Sequence, residues 1–278
     1  DNAGNEGGKT SDVSSRPHDP SGNYSLSFDG SNDYVIVPDN DALDIGTSDF
    51  SIQFWLKSND ENRALILSKS GNVTDNTWYL VHMNSSGMME YEITDGYSTS
   101  GDYSIATGSV AVNDNEWHHI CVVFDRDNLG YIYVDGTLDV SGSISSHNGD
   151  ISNNESLEIG VDLEHITQYT DGKLDEIAIW DDALTAAEVT ALYNSGSGLS
   201  ASSNSGNYAS SADLKGYWKF DEGSGTTLTD QTSNDNDGTI SGATYATKGT
   251  LVDYTSGSGG TTLTFNYTVA AGEASSDL

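Results

Sequence analysis

Two carboxylates stand where carboxylates are costly. In Gly172-Lys173-Leu174-Asp175-Glu176-Ile177-Ala178-Ile179-Trp180, β-branched and aromatic residues alternate as in a strand. Strict alternation puts Asp175 on the face of Ile177 and Ile179. In Gly216-Tyr217-Trp218-Lys219-Phe220-Asp221-Glu222 the same rule puts Glu222 with Trp218 and Phe220. A carboxylate entering an apolar layer needs a cation or several hydrogen-bond donors, because its desolvation is otherwise too costly. The ordinary alternative is hydration at fraying strand ends.

A second kind of chemistry is suggested by aromatics in or beside loops: Trp78, Tyr97, Tyr103, His165 and Tyr169. An exposed ring can stack on the apolar face of a sugar while carboxylates bind its hydroxyls. Asp95, Asp102 and Asp162 are near enough in sequence to serve. Loop tyrosines without function are common, so packing competes with this reading. Catalysis finds little support. His118 and His119 are neighbours on a strand and face opposite ways, which suits them poorly to chelate one ion together. The chain has no Gly-x-Ser-x-Gly elbow and no phosphate-binding loop.

The elements that must position these residues are mostly strands. Phe50-Ser51-Ile52-Gln53-Phe54-Trp55-Leu56-Lys57 alternates most cleanly, with Phe50, Ile52, Phe54 and Leu56 on one face. Tyr24–Asp29 and Tyr34–Val37 flank a Gly-Ser-Asn turn. Further strands are expected at 64–68, 78–83, 88–94, 117–124, 130–134 and 157–160, with Asp135-Gly136 as a tight turn. Thr185 and Glu188 form a capping-box signature for one short helix running to about Tyr193. Trp55, Trp117, Trp180 and Trp218 read as core. Many short strands separated by Asn, Asp, Ser and Gly mean an antiparallel sandwich.

The 278 residues carry 43 acids against 10 bases, a net charge of -33. Such a field repels nucleic acid and anionic membrane and suits salty surroundings. The single cysteine, Cys121, excludes an internal disulfide and reads as a small core residue. No stretch is long and apolar enough to span a membrane as a helix, so no direct membrane insertion is expected.

Several motifs together resemble a laminin-G-like, concanavalin A-like jelly roll. They are Leu26-Ser27-Phe28-Asp29-Gly30-Ser31-Asn32-Asp33-Tyr34-Val35, Phe50 to Leu56, Asn115-Glu116-Trp117-His118-His119-Ile120, Tyr131-Ile132-Tyr133-Val134-Asp135-Gly136, and Gly172 through Val189. One departure stands out. Tyr217 to Gly225 with Asn234 to Thr239 resembles the segment that usually precedes the Phe-Asp-Gly strand, and here it follows. Circular permutation is favoured over a truncated second copy. The expected division is then a linker or repeat end at 1–22, a jelly roll at 23–247 with 213–247 supplying the permuted first strands, and a partial immunoglobulin-like repeat at 248–278. Residues 254–272 resemble repeats of large bacterial surface adhesins.

The resemblance implies a fold that is all-β, an antiparallel jelly-roll β-sandwich with one short helix. In the calcium-bearing members, an acid on the last strand and one on the first can share a structural Ca2+. Asp175 and Glu222 would be that pair here, with Asp29, Asp33, Asp221 and Asp230 as contributors, since calcium takes about six to eight oxygens. The Glu-x-Asp-x-x-Glu motif of the related glucanases is absent, so no enzyme is expected. The expectation is a non-catalytic, calcium-stabilised carbohydrate-binding module of an extracellular, cell-surface adhesin. Its partners would be a glycan or glycosylated cell surface and neighbouring repeats of the same chain. The alternative is a structural spacer without a ligand.

Overall fold

The computed structural model describes residues 22, 24–70, 77–96, 103–161, 163, 168–248, 254–256 and 264–265. One compact unit spans Arg16–Lys248. Asp1–Ser15 and Gly249–Leu278 form a separate unit, whose described part is an antiparallel pairing of Tyr254–Ser256 with Thr264–Phe265.

The larger unit is a sandwich of two eight-stranded antiparallel sheets. The first contains β1 (Tyr24–Asp29), β3 (Phe50–Lys57), β8 (Trp117–Phe124), β9 (Leu129–Val134), β10 (Thr137–Ser143), β12 (Asp171–Trp180), β13 (Leu214–Trp218) and β16 (Thr244–Thr247). The second contains β2 (Tyr34–Val37), β4 (Ala64–Ser70), β5 (Thr77–Met83), β6 (Met88–Asp95), β7 (Ser104–Ala111), β11 (Leu157–Ile159), β14 (Thr227–Leu228) and β15 (Gly238–Ser241).

Alternation explains the core. Phe50, Ile52, Phe54 and Leu56 all enter the layer between the sheets, where Phe50 stacks on Phe124 with centroids 4.2 Å apart. The opposite face of the first sheet is also covered. Cys121, Val123, Ala178 and Trp180 lie beneath α1 (Ala186–Tyr193), with Leu184, Val189, Leu192 and Tyr208 in the same cluster. Both faces of β3, β8 and β12 are therefore largely buried, polar residues such as Ser51 and Gln53 included. The Thr185–Glu188 capping box forms as the sequence indicates. Glu188 also accepts from Ser210 Oγ at 2.7 Å and Ala209 N at 3.2 Å, tying the following loop down. Trp180 and Trp218 are fully buried, whereas Trp117 is only half-buried.

The last strands complete both sheets. Trp218 pairs with Ile177, Ile240 with Val35, and Tyr245 with Leu26. The stretch 238–247 divides at Gly242 (φ 78°) between β15 in one sheet and β16 in the other.

Two departures from strict alternation correct the placement of the acids. In β12 the pairing with β3 shifts between Asp175 and Ala178, and Glu176 adopts φ 50°. This is a bulge, with one extra residue on β12. Leu174, Ile177 and Ile179 enter the core, while Asp175 pairs with Trp55 on the strand's other side. Asp175 therefore does not share the face of the isoleucines. After β13, Phe220 takes φ 58°, so Glu222 leaves the face of Trp218 and Phe220 and stays partly exposed.

Candidate functional site

The acids proposed to share calcium each have an organic partner. Asp175 Oδ2 lies 2.5 Å from Lys248 Nζ, with the two side chains 3% and 4% exposed. Glu222 accepts from Thr229 N at 2.9 Å and from the Tyr245 hydroxyl at 2.9 Å. Asp221 accepts from Tyr24 N at 3.2 Å. Asp230 takes four donors: Tyr217 N, Thr232 N, Thr232 Oγ1 and Asn236 N. Asp29 receives Ser31 N and Asn32 N, and Asp33 receives Asp29 N. Burial, and then the charge of Asp29, raise the Asp33 carboxyl above its ordinary value. Among the described residues no group of three or more His, Cys, Asp or Glu is placed to hold a metal. The six acids are instead engaged by an ammonium, hydroxyls and backbone amides, and no three of them converge on one point.

A different constellation occupies the outer face of the second sheet. On β5, Tyr79, Val81 and Met83 fill the core, so Trp78, Leu80 and His82 point away from it. On β6 the same rule turns Glu90, Glu92 and Thr94 outward, and they pair with His82, Leu80 and Trp78 respectively. Thr107 of β7 lies opposite Glu90. His82 Nε2 is 2.6 Å from Glu90 Oε2. Arg63 Nη2 reaches Glu92 Oε1 at 3.1 Å and His82 Nδ1 at 3.4 Å, and its Nη1 donates to Gln168. Glu90 Oε1 accepts from Asn84 Nδ2 and Thr107 Oγ1, each at 2.8 Å.

Burial, followed by the Arg63 charge, pushes the His82 imidazole down to about 4 despite Glu90. The neutral tautomer with its proton on Nε2 satisfies both contacts: Nδ1 accepts from Arg63 and Nε2 donates to Glu90. At the other end of the strip, Trp78 meets Tyr103 with ring centroids 6.2 Å apart and planes tilted by 47°. Tyr103 is 38% exposed. At about 3.3 Å per residue, Trp78 and His82 are about 13 Å apart along β5. The strip thus joins an aromatic pair to a row of carboxylates.

The remaining expected ligand residues lie elsewhere or outside the described residues. Asp95 accepts from Gly149 N at 2.6 Å and contacts His147 Nδ1 at 3.2 Å, bracing the loop after β10. Arg126, 1% exposed, holds the same loop by donating to the carbonyls of His147 and Gly149. Tyr169 is half-buried. Tyr97, Asp102, Asp162 and His165 lie outside the described residues. Sequence reasoning missed Arg63, His82, Glu90 and Glu92. The available signal was the period-two spacing of Glu90 and Glu92, but their partners follow from cross-strand register.

Comparison with known proteins places the chain. The family model described as the concanavalin A-like lectin/glucanases superfamily, a laminin G type, matches residues 29–190. The chain belongs to this family. Human adhesion G-protein coupled receptor D1 is 26% identical over 148 residues, covering 52% of this chain and 16% of the receptor. Human neuronal pentraxin receptor is 34% identical over 98 residues, covering 32% of this chain and 19% of that protein. The chain thus spans only a small part of either relative. Among solved structures, a Bacteroides ovatus protein to which carbohydrate binding has been attributed superposes with a TM-score of 0.59 at 17% identity. The match covers 81% of this chain and 60% of that one and establishes likeness of fold.

Proposed function

We propose that this chain is a non-catalytic carbohydrate-binding module, displayed outside the cell on a bacterial surface adhesin and directed at glycans of a neighbouring surface. The observation that carries this reading is the Trp78–Tyr103 pair at one end of the outer strip formed by His82, Glu90 and Glu92. An aromatic pair offers an apolar platform to a sugar ring, and carboxylates beside it accept hydroxyl hydrogen bonds. Family membership supports a binding role, and the attribution made for the Bacteroides ovatus protein points the same way. Glu90 and Glu92 are held by Asn84, Thr107, His82 and Arg63, an arrangement that suits recognition better than an acid and nucleophile acting on a glycosidic bond.

The test is a glycan array probed with the full chain and with Trp78→Ala. Binding to a defined set of sugars, lost in the variant, is the expected result. No binding by the wild-type chain overturns the reading in favour of a spacer, and release of sugar products overturns its non-catalytic part.

A further inference from the structure

We propose that internal lysine ammonium groups, rather than a divalent metal, hold this sandwich together at two places. Lys69 on β4 is 1% exposed. Its Nζ lies 2.7 Å from Asp39 Oδ1 and 3.3 Å from Asp44 Oδ1. It also donates to the carbonyls of Asn153 at 2.9 Å and Glu155 at 2.7 Å. Two carboxylates and two backbone carbonyls are the ligand types of a calcium site. Here they come from two separate chain segments, residues 39–44 and 153–155, and converge on the nitrogen of a third. The distances are those of charge-assisted N–H···O bonds, and an ammonium at that point leaves no room for an ion.

Lys248 repeats the device. It follows β16, at the end of the compact unit, and pairs with Asp175 on β12. Asp175 is the acid for which calcium was expected, and its cation is supplied by the chain itself. With 43 acids and 10 bases, the protein places two lysine ammonium groups in its interior: Lys248 offsets the buried Asp175, and the buried Lys69 is itself offset by the partly exposed Asp39 and Asp44. The fold therefore needs no calcium, and this holds whether or not a sugar binds.

The experiment is thermal unfolding of the full chain in chelator, in calcium and in magnesium at matched ionic strength. The magnesium arm is needed because a surface of charge -33 takes up any divalent ion by screening. The wild-type midpoint is expected to be the same in calcium as in magnesium and unaffected by chelator. Lys248→Met leaves the buried Asp175 carboxylate without its counter-charge and should lower the midpoint by about 10 °C; Lys69→Met removes the ammonium that ties Asp39 and Asp44 to the Asn153 and Glu155 carbonyls and should lower it as well. Where Lys69→Met does not fold, combining it with Asp39→Asn and Asp44→Asn removes the stranded charges and should recover a folded protein. The proposal is overturned by a wild-type midpoint that falls in chelator and returns with calcium but not magnesium. It is equally overturned if both lysine variants melt with the wild type.

Discussion

Trp218 of β13 pairs with Ile177 of β12, and its indole Nε1 donates to the Asn236 carbonyl at 2.8 Å. One side chain thus joins a strand inside the family match at 29–190 to a loop well beyond it. Around it, Asp230 gathers four donors and Phe220 and Leu228 fill the core. Residues 214–247 are therefore integral to the sandwich. A chain ending at Gly198 loses β13 to β16, leaving β1, β2 and part of β12 each with a vacant edge and a cavity where Trp218 and Phe220 stood. It should fail to give a cooperative unfolding transition by circular dichroism. Trp218→Ala in the full chain should cost about 3–5 kcal/mol in a urea titration.

The aromatic pair can be tested apart from stability. Trp78 and Tyr103 lie outside the core cluster, so truncating either should leave the unfolding midpoint nearly unchanged. Trp78→Ala should weaken sugar binding at least about tenfold, the scale of one or two stacking contacts. Tyr103→Ala should weaken it less, because that ring is the more exposed of the two. Isothermal titration with the best glycan from the array gives both numbers. An unchanged affinity in Trp78→Ala would move the binding surface away from this strip.

Acid should destabilise the fold in a window set by two buried histidines. Burial holds His119 down to about 4 against the opposing charge of Asp135. Burial and Arg63 hold His82 at about 4 as well. Both remain neutral in the folded protein while their unfolded counterparts protonate near 6.5, so the unfolded state binds more protons between these values. The contribution of these two histidines is then fully present above pH 6.5 and falls as pH drops towards 4, by up to about 1.4 kcal/mol per unit for each; His118, raised against burial by its hydrogen bond to Asp135, acts in the opposite sense and loses its share only as pH rises above 6.5. Urea midpoints measured from pH 7 to 4.5 should show this slope, and His119→Gln should reduce it. Glu188, whose carboxyl is lowered because its hydrogen bonds outweigh burial, contributes only below about 4.5.

Much of the sandwich was legible because its signals are local. The alternation of Phe50 to Leu56, the capping box at Thr185 and the Asp135-Gly136 turn, with φ 50° and 72°, each depend on a few adjacent residues. Strands β7 and β10 were not expected, since Ser104–Ala111 and Thr137–Ser143 are small, polar and only partly buried, as befits strands at the sheet margins. The bulge at Glu176 was also hidden. A single backbone turn to positive φ reverses every later side chain, and nothing in Leu174-Asp175-Glu176-Ile177 marks it. The network on the outer strip was illegible for a related reason. His82, Glu90, Arg63 and Gln168 meet only through cross-strand register and a loop distant in sequence.

The margin of the second sheet carries a last prediction. Strand β7 is outermost in that sheet, and its amides would be open to a neighbouring strand. Asp139, at a bulge in β10 between Leu138 and Val140, accepts from Ser109 N at 2.9 Å, Val110 N at 3.3 Å and Ser109 Oγ at 2.6 Å. Its carboxylate occupies the donors that a second strand would use. Ile105 and Val110 on β7 and Leu138 on β10 are each more than two-fifths exposed, so an uncovered edge would also be apolar. Asp139→Ala should leave the core intact but promote self-association, seen as a concentration-dependent shift in light scattering and faster amide exchange at Ser109 and Val110. Asp139→Asn, which keeps one acceptor and loses the charge, should fall between. A monomeric Asp139→Ala with unaltered exchange would show that the carboxylate does not guard this edge.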